Sequence, residues 1–345
     1  MHDPFPLPPP PILQHLTAPL SRLLSLPTLP LHAHEVLLAY ALYLTTQLYI
    51  SPRLSTRLFP AIYPRLAPKT RLNWDVHVVS LLQSTLINGL ALWVMWSDGE
   101  RAGMGQRERV WGYTGAGGMI QGFAAGYFLW DLGVSLWYLD VFGVGLLAHA
   151  VSALVVFSLG FRPFVNYYGP TFILYELSSP FLNFHWFFDK LNMTGSRAQL
   201  YNGLLLLFTF FGCRLVWGTY QSVRVYQDVW SALQYPGPHN YNNSSYPDHD
   251  GSKDAAEMMR FAGDQRIPVW LAVTYLGSNI LLNTLNFYWF GKMIEAVRKR
   301  FSKKAPGKEE GKEKEVVELV EGVELIDGEC ISVEERKGEV RRRKA

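Results

Sequence analysis

The chain has 345 residues, of which 49% are hydrophobic and 18% are charged, and its formal net charge is +3. Basic residues cluster beside long apolar stretches, a distribution that is typical of membrane orientation and that excludes a basic nucleic-acid-binding surface. The two cysteines, Cys213 in an apolar stretch and Cys330 in a charged tail, lie in different environments, so no disulfide framework is predicted.

Residues 1–33 form a Pro-rich N-terminal segment that contains the run PFPLPPPP. Such a run cannot form a helix, so we expect an extended or disordered chain here. No basic region precedes an apolar core, so the segment does not have the pattern of a cleaved signal peptide. The histidines of this region lack the spacing of a metal site, and no metal site is predicted; they are His2, His15, His32 and His34.

Seven apolar stretches follow, and most approach the roughly 20 residues that a helix needs to cross a bilayer. Each is expected to be helical because backbone polar groups in lipid must be satisfied within the segment. The first is short and is expected to end at Pro52, and the fifth contains Pro170 and Pro180, which should kink or break it. The sequence therefore predicts an all-α, polytopic membrane protein with spans near 34–51, 76–97, 115–138, 141–160, 165–188, 199–220 and 268–291.

The positions of Lys and Arg in the loops predict the orientation of these spans. Residues 34–68 comprise the first span and a basic loop, and the segment after the seventh span is also basic, so both should be cytosolic. The loop 221–267 then falls on the lumenal side, where it carries overlapping glycosylation sequons at Asn242 and Asn243. The sequon at Asn192 falls in a cytosolic loop and should stay unmodified.

Residues 301–345 mix Lys and Glu densely and contain almost no aromatic residues. A segment of this composition cannot bury enough apolar surface to fold, so it is expected to be a disordered cytosolic tail. Its basic end, RRRKA, would lie near anionic headgroups.

Four ionisable residues lie inside or against apolar stretches that otherwise lack charge: Asp131, His149, Glu176 and Arg214. Such a residue costs roughly 2.5–3.5 kcal/mol at the membrane centre, so it normally faces the bundle interior and has a partner. A neutral His149 could take a proton from an amine or hydroxyl that attacks an acyl thioester, or accept the acyl group itself, with Glu176 fixing its tautomer. The alternative is a structural histidine that bonds to a backbone carbonyl or to Ser152.

The two carboxylic acids allow a second pair of interpretations. Burial would keep Asp131 or Glu176 neutral unless a cation is near. Arg214 can supply that cation for Glu176, and such a pair could serve only to hold helices in register. Asn183 and Asn286 fit interhelical hydrogen bonds, and the small residues from Gly115 to Gly126 are typical of close helix packing.

Three segments resemble one known family when they are taken together. They are Gly126-Tyr127-Phe128 followed by Asp131, then His149, and then the block from Tyr175 to Asn183, which reads YELSSPFLN; Phe210-Phe211 before Arg214 and Asn286 before Trp289 extend the match. Their order is similar to that of the TLC-domain family, which groups translocating-chain-associated proteins, longevity-assurance (ceramide synthase) proteins and small lipid-homeostasis membrane proteins. The resemblance covers about residues 69–300 and is closest to the TLC-domain-containing subgroup 4 type.

The resemblance implies a six-span core around a polar cavity, in the endoplasmic reticulum or connected endomembranes. It implies His149, Asp131 and Glu176 as candidate catalytic residues. It further implies that the polar residues of the cavity or of its framework are Tyr127, Ser178, Asn183, Arg214 and Asn286. The chain departs from ceramide synthases at Ala148, where they carry a first histidine, and at Ser179, where they carry a second acid.

These observations predict an integral membrane protein of lipid homeostasis that binds or senses lipid or acyl chains. One alternative is an acyltransferase that uses acyl-CoA as substrate and His149 as base. A second is a transporter, although the discontinuous helices in two symmetric halves expected of one are not evident. Membrane lipids are the predicted partners, no cofactor and no nucleic acid is expected, and oligomerisation is left open.

Overall fold

The computed structural model describes residues 1–235, 256–263 and 265–301, and within these ranges the chain is helical and has no strand. Short connections join most of the helices. The helices are α1 (Pro11–Leu24), α2 (Leu29–Thr45), α3 (Ser51–Leu58), α4 (Pro68–Ser97), α5 (Gly99–Ala102), α6 (Gln106–Trp111), α7 (Gly115–Trp137), α8 (Leu139–Leu159), α9 (Gly169–Ile173), α10 (Ser179–Lys190), α11 (Arg197–Phe210), α12 (Gly218–Gln234) and α13 (Val269–Phe301).

The N-terminal region differs from the expectation in two ways. Residues 11–24 form α1, with Pro11 in its first turn, where the missing N–H of a proline costs nothing. The prediction that Pro52 ends the first span is wrong, because α2 continues through a π-helical stretch, Thr46–Ile50, into α3. Pro52 lies in the first turn after that wider stretch, a position that tolerates a residue without an N–H donor.

Helix α2 lies against the glycine-rich face of α7, as the spacing of small residues predicts. A side chain at Gly122 would collide with the carboxyl group of Glu35, and one at Gly126 would collide with the backbone of Val36. Only glycine therefore permits this approach of the two helices. This packing places the first predicted span directly beside the third.

The predicted break in the fifth span is present. Residues 165–190 form short α9, a 3-10 stretch from Leu174 to Ser178, and α10. Pro170 and Pro180 each lie in the first turn of a helix, so each starts a new segment where a continuous helix would otherwise run.

Helix α11 continues through a π-helical stretch, Phe211–Trp217, into α12. The expectation that residues 221–267 form a loop is wrong for its first part, because α12 extends to Gln234. Its buried residues Val225 and Val229 pack in an apolar cluster with Val110 and Leu271. Asn242 and Asn243, and the tail after residue 301, lie outside the described residues.

Four segments meet at one end of the bundle. The N-terminal segment lies beside the start of α7, where Gly115 N donates to Met1 O at 3.0 Å. Two later segments form backbone hydrogen bonds with the region around α6. Tyr113 N donates to Met258 O at 2.9 Å, and Val165 N donates to Val110 O at 2.7 Å. Four segments therefore lie at one end of the bundle: the residues before α1, those between α4 and α7, those after α8 and those after α12.

A buried ion pair joins two helices at this end. Arg109 on α6 donates two hydrogen bonds to Asp228 on α12, at 2.7 and 2.8 Å. The hydroxyl of Tyr168 donates to the same carboxylate at 2.6 Å. These hydrogen bonds to Asp228 raise the pKa of the Arg109 guanidinium above its usual value, so the guanidinium stays protonated at physiological pH.

The opposite end has its own aromatic cluster. Trp74 at the start of α4 packs on Tyr63 and, across the bundle, on Trp186 of α10, with ring centroids 5.8 and 6.0 Å apart. Asp75 accepts hydrogen bonds from Ser51 at 2.5 Å and from Tyr63 at 2.9 Å. The connection after α3 and the end of α10 therefore meet at this end.

Two helical stretches in the described part of the chain are long and apolar enough to cross a membrane by length and composition. They are Pro68–Ser97, which is α4, and Arg197–Gln234, which comprises α11, the π-helical stretch and α12. A third apolar stretch, Leu146–Leu159 in α8, is shorter. The predicted number of seven spans stays a prediction.

Candidate functional site

Four of the residues singled out in the sequence meet near the middle of the bundle. Glu176 and Ser178 lie in the 3-10 stretch between α9 and α10, Arg214 lies in the π-helical stretch, and Asn286 lies on α13. We call these four residues and Ser179 the Arg214 cluster. Four elements supply its members, since Ser179 is the first residue of α10, and two of those elements have helical geometry that departs from the α-helix.

The guanidinium group of Arg214 is the centre of this cluster. Its Nε donates to the backbone oxygen of Tyr175 at 2.9 Å and to Ser178 Oγ at 3.1 Å. One terminal nitrogen donates to Asn286 Oδ1 at 3.3 Å, and the other to Ser179 Oγ at 3.4 Å. Arg214 therefore joins the broken fifth segment, its own helix and α13.

The carboxylate of Glu176 compensates the charge of Arg214. Its Oε1 lies 3.7 Å from the terminal nitrogen of Arg214, and its Oε2 accepts a hydrogen bond from Ser179 Oγ at 2.6 Å. The side chain of Arg214 is 14% exposed and that of Glu176 is 30% exposed, so the acid marks the more open side of the cluster. Both oxygens of this carboxylate therefore have partners within the cluster.

Asn286 has an unused donor. Its Oδ1 accepts from Arg214, but its buried Nδ2 has no hydrogen-bond partner in the described part of the chain. A buried amide N–H without a partner is costly, and a polar group of a ligand could satisfy it. Phe287 and Tyr288, the next two residues of α13, are exposed, as is Phe211 in the π-helical stretch, so the outer surfaces of the two helices that supply Asn286 and Arg214 carry apolar side chains.

Asn183 lies one turn further along α10 and forms a second polar group. Its Nδ2 donates to Ser80 Oγ at 3.1 Å and to Ser179 O at 2.9 Å. Its Oδ1 lies 2.7 Å from Nδ1 of His77 on α4. These bonds tie α10 to α4, which fits the interhelical role expected for this asparagine.

His77, which was not predicted from the sequence, also belongs to this group. Its ring stacks on Trp186 with ring centroids 4.2 Å apart. His77 lies at the start of the second predicted span, two residues after Asp75. Its i,i+3 spacing to Ser80 was the one signal that could have placed both on the face toward α10.

Tyr127 and Asp131 lie on α7, an element that supplies no member of the Arg214 cluster. The Tyr127 ring meets Tyr43 edge-on, with centroids 5.5 Å apart, and stacks on Trp130 at 5.6 Å. These contacts place it in the apolar packing between α2 and α7. Asp131 is partly buried one turn further along α7.

His149 lies on α8, and its side chain lies outside the described residues. Helix α8 is kinked at Gly143, whose φ of 73° is a left-handed value that glycine adopts without strain. Ser152, the alternative partner considered for His149, donates its hydroxyl to Ala148 O at 2.7 Å. The pairing of His149 with Glu176 stays a prediction.

The Arg214 cluster can hold three segments in register and offer one amide donor to a ligand. The guanidinium already has oxygen acceptors on all three nitrogens, and the only carboxylate in the cluster is paired with it. Such an arrangement suits the binding of a polar group better than the transfer of a proton.

Comparison with known proteins gives one family. The sequence model of the TLC domain matches residues 73–295, which is more than half of the chain. An uncharacterized TLC domain-containing protein of Schizosaccharomyces pombe is 35% identical over 288 residues, which cover 84% of this chain and 86% of that protein.

Two other relatives extend the comparison. "Topoisomerase I damage affected protein 4" of Saccharomyces cerevisiae is 27% identical, over 80% of this chain and 87% of that protein. "TLC domain-containing protein 4" of Homo sapiens is 27% identical, over 48% of this chain and 63% of the human protein. The subgroup that the sequence motifs indicated is therefore among the relatives.

Proposed function

The chain belongs to the TLC-domain family of membrane proteins, and from this premise we propose that it binds membrane lipid at the Arg214 cluster. In this account it acts in lipid homeostasis as a binding or sensing protein, and it does not catalyse acyl transfer. Its ligand is a lipid whose acyl chains lie along the apolar surface beside α13 and whose polar group reaches the buried amide of Asn286.

One observation supports this proposal most directly. The Nδ2 of Asn286 is a buried donor without a partner in the described part of the chain, its amide oxygen accepts from Arg214, and exposed aromatic side chains lie on the outer surfaces of the two helices that supply these residues. An ester carbonyl or a phosphate oxygen accepts such a hydrogen bond, and acyl chains pack on such a surface.

The closed ion pair supports a binding role over a catalytic one. A general base must be free to accept a proton, and Glu176 is held by Arg214 and Ser179. The acyltransferase alternative would need His149 to act without the first histidine of the pair and without the second acid that ceramide synthases carry, since Ala148 and Ser179 occupy those positions here.

The proposal includes the seven-span topology, with a lumenal N-terminus and a cytosolic tail, in the endoplasmic reticulum or a connected membrane. The packing of the bundle ends supports this topology. The segments that alternating spans would place in the lumen meet at one end, and at the other end the start of α4, after the first loop, packs on the end of α10. If one loop had been assigned to the wrong side of the membrane, these segments would lie at both ends of the bundle.

Photochemical crosslinking tests the proposal. Purified protein in vesicles that contain a phospholipid with a photoactivatable acyl chain should crosslink mainly in two peptides, one around Phe211 and one around Phe287. Crosslinks spread evenly over the exposed apolar residues of α4 and α8 would contradict a specific site.

A further inference from the structure

Three potential metal ligands meet at the end of the bundle where the N-terminal segment lies. His32 and Glu35 lie on α2 and are both fully buried, and Asp3 precedes α1 and is 28% exposed. His32 Nδ1 lies 2.9 Å from Glu35 Oε2 and 3.6 Å from Asp3 Oδ2. One ligand atom from each residue lies within 4.8 Å of the other two.

The spacing of these atoms fits a small divalent ion. Tetrahedral zinc holds nitrogen and oxygen ligands at about 2.0–2.2 Å, which places the ligand atoms roughly 3.3–3.6 Å from one another. The separations from His32 Nδ1, 2.9 and 3.6 Å, lie close to that range. Small shifts of the Asp3 side chain, which is not fully packed, would complete the geometry.

The charge of the cluster also favours a cation. Two carboxyl groups lie together, and Glu35 has no contact with water, so a bound cation would compensate the charge of both groups in their ionised form. Arg260, a nearby cation, lies with its guanidinium over the ring of Tyr113, 5.2 Å from its centroid. The Oε1 of Glu35 is buried and has no hydrogen-bond partner in the described ranges.

The second nitrogen of His32 has the partner that a metal-bound histidine needs. Its Nε2 lies 2.6 Å from the hydroxyl oxygen of Tyr113. When Nε2 carries the proton and donates to that oxygen, Nδ1 presents its lone pair to the two carboxylates. Metal-binding histidines are commonly fixed in this way by a hydrogen bond from the other ring nitrogen.

A cavity gives access to the cluster. Its volume is about 240 Å³, and Asp3, Tyr113 and Gly115 are among the residues that line it. An ion could therefore reach Asp3 from the end of the bundle, and a water molecule from the cavity could complete a four-coordinate site with three protein ligands.

We propose that Asp3, His32 and Glu35 bind one divalent transition-metal ion, with zinc the best match to a set of one imidazole and two carboxylates. The ion neutralises both carboxylates and ties the N-terminal segment to α2. The same contact explains two glycines of α7, since Gly118 lies against the His32 ring and Gly122 against the Glu35 carboxyl group.

The test is metal analysis of the full-length protein in detergent, after loading with zinc chloride and removal of unbound ion. Wild type should retain close to one zinc per chain and should gain thermal stability on loading. His32→Asn, Glu35→Gln and Asp3→Asn should each retain at least tenfold less zinc, since each removes a ligand. His34→Asn is the matched control, because His34 is buried on the same helix but contacts Leu7 O, and it should retain zinc as wild type does.

Two results would overturn the proposal. One is wild type that retains no zinc after loading, which would show a metal-free hydrogen-bonded group. The other is equal zinc retention in wild type and Asp3→Asn. Asp3 is decisive because its side chain is partly exposed, so this variant should fold even if substitutions at the two buried ligands do not.

Discussion

The guanidinium group of Arg214 lies 3.7 Å from the carboxylate of Glu176, and neither residue lies in a regular α-helix. Arg214 belongs to a π-helical stretch, which widens the helix by one residue, and Glu176 belongs to a 3-10 stretch between two prolines. Such irregular turns are frequent at functional sites. Here they bring a charged pair into the middle of a membrane domain.

A double-mutant cycle measures this pair. Arg214→Leu should lower the free energy of unfolding by about 3–5 kcal/mol, because it strands a partly buried acid and removes the bonds to three segments. Glu176→Leu should cost less, since its side chain is 30% exposed and Arg214 keeps its oxygen acceptors. The double variant should cost less than the sum, with a coupling energy of about 0.5–3 kcal/mol.

Thermal unfolding of the purified variants gives these differences. Glu176→Leu combined with Arg109→Leu is the control, because Arg109 pairs with Asp228 at the end of the bundle. That combination should be additive. Additive losses for Glu176→Leu and Arg214→Leu as well would mean that the two residues do not interact.

Helix α7 offers a matched pair of glycines for the contact with α2. A methyl group at Gly126 would collide with the backbone of Val36 and the side chain of Ala39, whereas one at Gly133 would meet no atom within 4 Å. Gly126→Ala should therefore destabilise the protein by about 1–3 kcal/mol. Gly133→Ala should be neutral or should stabilise by about 0.5–1 kcal/mol, because alanine favours the helix.

Thermal unfolding in detergent compares the two variants under one condition. Similar midpoints for Gly126→Ala and wild type would be incompatible with direct packing of α2 on this face of α7.

Much of the helical framework could be predicted because its causes are local. The bounds of α7 and α8 follow from long apolar runs, and the break in the fifth span follows from Pro170 and Pro180. The continuation past Pro52 could not be predicted in the same way. This continuation depends on a π-helical stretch, which has no reliable sequence signal, and on the position of Pro52 directly after that stretch.

The candidate site could be predicted in part. Charge in an apolar run identified Glu176 and Arg214, since the membrane makes such residues rare. The cluster of Asp3, His32 and Glu35 was missed because Asp3 is far from the other two in sequence and reaches them only when the N-terminal segment folds onto α7. Spacing along one helix carries no information about such a contact.

Glycosylation tests the proposed topology. If the segment after α12 is lumenal, glycosidase treatment of protein expressed in eukaryotic cells should reduce its mass, and replacing both Asn242 and Asn243 by Gln should remove this shift. Asn192→Gln is the control and should change nothing, because its loop is expected in the cytosol. A shift that depends on Asn192 would reverse the orientation of the whole bundle.

His149→Ala separates the binding account from the acyltransferase alternative. Loss of a general base lowers turnover by roughly 10²–10⁴-fold, so an enzyme that depends on His149 would lose nearly all transfer from an acyl-CoA to a long-chain amine or lipid hydroxyl. The binding account predicts no such transfer by wild type and unchanged co-purifying lipid in His149→Ala. Robust transfer by purified wild type that His149→Ala abolishes would contradict it.

The most direct test of lipid binding at the Arg214 cluster is mass spectrometry of the lipid that co-purifies with Asn286→Asp. This substitution keeps an oxygen acceptor for Arg214 but removes the unpaired Nδ2 donor. Thr284→Val is the matched control, because Thr284 is exposed on the same helix and its hydroxyl donates to Ile280 O, one turn earlier on α13. We predict that wild type and Thr284→Val retain the same lipid, and that Asn286→Asp loses it by tenfold or more while its thermal stability stays close to that of wild type. Equal amounts of the same lipid in all three proteins would contradict the account.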